Sequence, residues 1–125
     1  QIDLLVRGVC CLVPGRQGLS ENIVVRSVVG RFLEHARVFF FHNSGDPKVF
    51  IGSADLMTRN LKHRIEVLTP VTQPHLKKWV KTEILDQYLA DTQRTRMMQP
   101  DGTYLRLRDH SPSGLDVHDS LLKDD

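Results

Sequence analysis

Val38-Phe39-Phe40-Phe41, Asn43-Ser44-Gly45-Asp46-Pro47 and Lys48-Val49-Phe50-Ile51-Gly52-Ser53 follow one another as an apolar run, a polar break and a second apolar run. β-Branched and aromatic side chains suit a pleated, half-buried surface. The residues of the break are those that reverse a chain. A hairpin over 38–53 is therefore predicted. Small residues follow it, then Ala54 to Lys62 has helical character, with Asp55 placed to cap it.

Towards the N-terminus, Gly30 to His35 predicts one helical turn, and Ile23 to Val29 is a β-branched strand. Pro14 to Asn22 is a Gly-rich, polar loop. Ile2 to Val13 is almost continuously apolar, broken by Asp3 and by Arg7-Gly8, and reads as a strand buried on both faces. Towards the C-terminus, Ile65 to Val71 is a further strand, ended by Pro70 and Pro74. Leu76, Trp79, Val80, Ile84, Tyr88 and Leu89 then recur at helical spacing. Pro100-Asp101-Gly102 is a turn, and Tyr104 to Leu107 a short strand. From Asp109 the residues are polar. The predicted organisation is one domain over 1–108 and a weakly ordered tail over 109–125. Several strands followed by one long helix give an α/β (α+β) fold, with helices on both faces of the sheet.

With 40% hydrophobic and 26% charged residues, 125 residues suffice for one cored domain. Seventeen lysines and arginines against fifteen acids leave a net charge of +2, too little to argue a nucleic-acid partner. No apolar run approaches the roughly 20 residues of a membrane span. Cys10 and Cys11 are adjacent, poorly placed to bridge each other, and read as buried free thiols of a reducing compartment. The start at Gln1, directly before a strand, reads as a fragment of a longer protein. No His or Cys spacing builds a metal site.

Four features carry candidate chemistry. Arg7, in an apolar run beside Gly8, is either a bidentate phosphate ligand or one half of an ion pair with an acid such as Glu66. His35 is either an acid, base or nucleophile near phosphate, with Arg37 on the same face, or a partly exposed histidine at a turn. Gly52-Ser53-Ala54-Asp55 offers backbone N–H groups to an anion. Arg59, Lys62, His63 and Arg64 form either part of an anion pocket or a solvated connection.

His35-x-Arg37 followed by Gly52-Ser53-Ala54-Asp55 resembles the His-x-Lys and Gly-Ser-x-Asn elements of the phospholipase D superfamily, with Arg for Lys, Asp for Asn, and His42 where that superfamily has aspartate. A broader series resembles the last domain of the histidine-phosphorylating polyphosphate kinases. It comprises Arg7-Gly8-Val9-Cys10, Pro14-Gly15, Gly18-Leu19-Ser20-Glu21-Asn22-Ile23, the stretch Gly30 to Val38, the stretch Ser53 to Leu61, and Arg64-Ile65-Glu66-Val67. The likeness runs from about Ile2 to Arg96. Leu56 stands where many members have tryptophan, and Gly52 where serine is common.

That resemblance implies a phospholipase-D-like fold with a mixed central sheet flanked by helices. It implies reversible transfer of the terminal phosphate of ATP onto inorganic polyphosphate, through a phosphohistidine formed in a preceding domain. The partners implied are ATP or ADP, polyphosphate, the preceding domains of the same chain and further copies of the full-length protein, in the cytoplasm. Magnesium is implied as cofactor, its ligands expected in the preceding domain. Arg7, His35 and Arg64 match ATP- and phosphate-binding positions, with His35 as the catalytic acid or base. Arg37, Ser53, Asp55 and Arg59 fall inside matched motifs. The isolated fragment is expected to be inactive. Two alternatives stand beside this reading: a phospholipase-D-like phosphodiesterase half-domain, and a non-catalytic module for polyphosphate binding or assembly.

Overall fold

The computed structural model describes residues 1–107 and 114–122. In chain order they form β1 (Ile2–Leu5), β2 (Ile23–Val28), β3 (Arg37–Phe41), β4 (Lys48–Gly52), α1 (Thr58–His63), β5 (Leu68–Val71), α2 (Pro74–Trp79), a π-helical stretch (Val80–Leu85), α3 (Asp86–Ala90), β6 (Thr95–Met98), β7 (Tyr104–Arg106) and α4 (Val117–Leu121). The chain divides into two compact units. One is residues 33–85. The other joins residues 1–32 to the described residues from 86 onward.

The discontinuous unit holds a mixed sheet in the order β1-β2-β6-β7. β1 runs parallel to β2, and the other neighbours are antiparallel. Val25, Val28, Thr95 and Val117 are buried in it. A buried carboxylate organises its polar interior. Asp91 Oδ1 accepts from Arg94 N at 2.7 Å, Thr95 N at 2.9 Å and Thr95 Oγ1 at 3.1 Å, while Oδ2 accepts from Val117 N at 2.9 Å. Asp116 caps α4 by accepting from His118 N and Asp119 N, and pairs with Arg94 Nε at 2.7 Å.

The contiguous unit holds the antiparallel sheet β3-β4-β5. The predicted hairpin is present, with Arg37 opposite Gly52 and Phe41 opposite Lys48. Its turn is a single 3₁₀ turn in which Asn43 and Ser44 take positive φ. Asn43 Nδ2 supports it by donating to Asp46 O at 2.9 Å. Val49 and Ala54 are buried.

Several expectations are corrected. The strand over Ile2–Val13 ends at Leu5, and Val9 is 83% exposed. Val6 N still donates to the Arg26 carbonyl at 2.8 Å, and the run then breaks at Arg7-Gly8, where the chain leaves β2 although β2 continues to Val28. The doubly buried strand that argued for two helical faces is thus not there. Cys10 and Cys11 are free, but Cys10 is half-buried and Cys11 exposed. Gly30 to His35 bends without forming a helix. Asp55 does not cap α1, whose N-cap is Met57 with no side-chain bond. The strand expected from Ile65 begins at Leu68 and includes Pro70. Proline is tolerated there because β5 is an edge strand and need not donate outward. The long helix is three consecutive stretches with a π-helical centre, and Leu76 and Trp79 keep much of their surface in water. β6 was not foreseen. Within 109–125, assigned to a weakly ordered tail, residues 114–122 contain the capped helix α4 with Val117 and His118 buried. Residues 109–113 and 123–125 lie outside the described residues.

Candidate functional site

The hairpin register places the site. Arg37 begins β3 and Gly52 ends β4 directly opposite it, so Arg37 and the Ser53-Ala54-Asp55 segment share one end of the sheet. Gly52 is the only side chain size that fits. A Cβ there would stand 2.3 Å from the Val67 carbonyl oxygen and 2.8 Å from Leu68 Cδ2. This close approach of β4 to the chain entering β5 brings the Arg64–Val67 segment to the same end.

Two carboxylates organise the cluster. Arg37 Nε donates to Asp55 Oδ1, and Arg37 Nη1 donates to the Ala36 carbonyl at 3.1 Å. The Asp55 carboxyl is held below the ordinary aspartate value, first by the hydrogen bond from Arg37. Desolvation opposes that, and the positive charges of Arg37, Arg59 and Arg64 add to it. Three arginines thus act on one carboxylate. Glu66 accepts from Ser53 Oγ at 2.5 Å and from Asn60 Nδ2 at 2.9 Å. It therefore joins the segment after β4, helix α1 through the buried Asn60, and the segment that carries Arg64. His35 lies two residues before Arg37 and is exposed, as are Arg59 and Arg64.

Within the contiguous unit the structure pairs Arg37 with Asp55, sets Arg59 and Arg64 near enough to act on that carboxylate, and ties Ser53 to Glu66; His35 is placed near them only by its position two residues before Arg37. Arg7 is exposed after β1 in the other unit. Glu66, weighed as its ion-pair partner, uses its two oxygens on Ser53 and Asn60. Glu66 and Asn60 were missed as site organisers. The sequence offered only the charged residues Arg64 and Glu66 on either side of Ile65; that Ile65 is fully exposed emerges only from the structure. Among the described residues no group of three His, Cys, Asp or Glu side chains is placed to hold a metal ion. No helix among them is long and apolar enough to cross a membrane.

The Arg37–Asp55 pair makes a pH prediction. The Asp55 value is depressed in the folded state, so its contribution to stability is full above the unfolded aspartate value of about 3.9. It is lost as pH falls through the lower folded value. Urea unfolding of the protein and of its Asp55→Asn variant at a series of pH values should show a stability gap that is constant near neutrality and closes on acidification. A gap that does not change with pH would contradict the assignment.

The family model described as polyphosphate kinase C-terminal domain 2 matches residues 1–116. The polyphosphate kinase of Neisseria gonorrhoeae is 60% identical over 106 residues, covering 85% of this chain and 16% of that protein. That of Synechocystis sp. is 54% identical over 112 residues, covering 90% of this chain and 15% of that protein. The crystal structure of polyphosphate kinase from Porphyromonas gingivalis matches with a TM-score of 0.91 and 36% identity, over 98% of this chain and 19% of that one. The phospholipase-D-like α+β fold expected from sequence is thus the fold of a solved relative, and this chain spans about one sixth of its curated relatives. Residue pattern, fold and relatives agree, and the chain belongs to the polyphosphate kinase family as its C-terminal domain.

Proposed function

We propose that this domain serves a longer enzyme that reversibly moves the terminal phosphate of ATP onto inorganic polyphosphate, by way of a phosphohistidine formed outside this chain. The observation that carries the reading is the Arg37–Asp55 ion pair at one end of the hairpin, with Arg59 and Arg64 adding their charge to that carboxylate and the exposed His35 two residues before Arg37. Phosphoryl transfer depends on positioning and on neutralising charge spread over phosphate oxygens. Arg37 is held by Asp55 and anchors the cluster. Arg59 and Arg64 are exposed guanidiniums able to take phosphate oxygens in the bidentate manner. His35 gives or takes the proton that accompanies transfer, a task imidazole performs near neutral pH. Arg7 contributes a further phosphate contact, and Ser53 and Asp55 hold the frame.

The domain supplies one part of a reaction site and does not turn over alone. Magnesium supplies charge neutralisation when bound with the nucleotide. The described donor set does not fit such an ion, so no step is assigned to it on this chain. The full-length protein is a homo-oligomer of the cytoplasm, where the free Cys10 and Cys11 are at home.

The test is polyphosphate synthesis from ATP by the full-length enzyme carrying Arg64→Ala. kcat/KM should fall about 10²-fold, as when one preorganised donor to a charged oxygen is removed. Arg64→Lys should recover only part of it, because an ammonium cannot reproduce the planar fork. Unchanged kcat/KM in Arg64→Ala would remove Arg64 from the site.

A further inference from the structure

The contiguous unit carries a second basic surface at the other end of its sheet. A hollow of about 340 Å³ is lined by Phe40, Pro47 and Pro74 together with Lys77, Lys78 and Lys81. An adjoining hollow shares Lys77 and adds Lys48. In the hairpin register Phe40 and Lys48 lie at the end of β3 and β4 away from Arg37 and Gly52. At about 3.4 Å per residue, roughly 14 Å of strand separates the two ends. This surface is therefore not part of the arginine cluster.

The residues lining the two hollows include four lysines and one carboxylate, Asp46, which pairs with Lys48 at 2.6 Å. Lys77 Nζ donates to the Pro47 carbonyl at 2.8 Å, which fixes that ammonium over the hairpin turn and leaves it two further donors. Lys81 Nζ lies 5.7 Å from the centroid of the Phe40 ring, covering the aromatic face in the hollow. A nucleobase would need that face for stacking. A ligand with phosphates and no bases needs only the charges. Ammonium groups are point charges without a planar requirement. They suit a flexible chain of identical tetrahedral phosphates, which offers oxygens in every direction.

We infer that the Lys48, Lys77, Lys78 and Lys81 surface is a second polyphosphate-binding site, holding the polymer at a distance from its reacting end. The inference rests on the functional reading above in taking polyphosphate as the polymer.

The experiment measures binding of long-chain polyphosphate to the full-length enzyme over a series of salt concentrations. It compares the unmodified protein with Lys78→Gln/Lys81→Gln and with Lys78→Arg/Lys81→Arg. Loss of two phosphate contacts should make the slope of log K against log salt less steep by about two, and lower affinity about tenfold at low salt. The double arginine variant keeps the charges and should bind as the unmodified protein does. Unchanged slope and affinity in the glutamine variant would overturn the site, and so would equal losses in both variants, which would mean that the positions act through packing. Tighter binding of a single-stranded oligonucleotide than of polyphosphate carrying equal charge would also overturn it. Failure of the functional reading looks different. The unmodified enzyme would then make no polyphosphate from ATP, whatever the salt series gives.

Discussion

Full-length enzyme carrying His35→Ala is expected to lose about 10²–10⁴-fold in the rate of polyphosphate synthesis, the usual contribution of a positioned acid or base. Its unfolding midpoint should barely move. The side chain is exposed, so truncation opens no cavity, and surface changes of this kind stay within about 0.5 kcal/mol. The two readouts together separate roles. A histidine needed only for local structure would cost stability and rate in proportion. A proton-transfer role costs rate alone and also removes one limb of the pH–rate profile. His35→Gln, which keeps hydrogen-bonding capacity but cannot titrate, should be as slow as His35→Ala. Near-normal turnover by either variant would reject the role, whereas a rise in KM at constant kcat would reassign His35 to substrate binding.

The second large effect lies in the other unit. Asp91→Ala is expected to destabilise the protein by about 3–5 kcal/mol, because it leaves the N–H groups of Arg94, Thr95 and Val117 without acceptors in the interior. Asp91 is 2% exposed and Thr95 and Val117 are fully buried, so water cannot replace the lost oxygens. Asp91→Asn keeps one oxygen. It should cost less, about 1–3 kcal/mol, since the Oδ1 partners can be retained while the Val117 N–H meets an amide that donates. Urea unfolding followed by far-UV circular dichroism measures both. A loss of this size is a large fraction of the stability of any domain, and an unchanged midpoint in Asp91→Ala would show that the carboxylate does not organise this interior.

The sequence was most legible where local chemistry and tertiary placement agreed. The Val38–Ser53 hairpin is of this kind: its strands are aromatic and β-branched, and its turn residues adopt the positive φ that Asn and Gly favour. Arg37 and Asp55 were singled out from matched motifs, and the hairpin register joins Arg37 to the Asp55 segment. Failures arose where burial was assumed from apolarity. Val9 and Ile65 are apolar and exposed, so the runs holding them were read as longer strands than they are. β6 was overlooked because Arg94-Thr95-Arg96-Met97 has no β-branched run, although buried Thr95 and exposed Arg96 alternate as a strand should. α4 is only five residues long and mostly polar, which gives periodicity nothing to detect. The role of Asp91 could not be read from sequence at all. Val117, 26 residues away, is brought to it only by folding.

The division of the chain has a consequence for its birth on the ribosome. β2 is made early, yet its antiparallel neighbour β6 follows only after the whole contiguous unit, with Val28 paired to Thr95. At elongation rates of about 5–20 residues per second, that leaves β2 several seconds with one free edge. Residues 33–85 emerge as an uninterrupted stretch in the meantime, and their hairpin contacts are local. The hairpin that carries Arg37 thus has its partner strand within the same short stretch, whereas the sheet around Val25 can close only once residues 95–98 have been made.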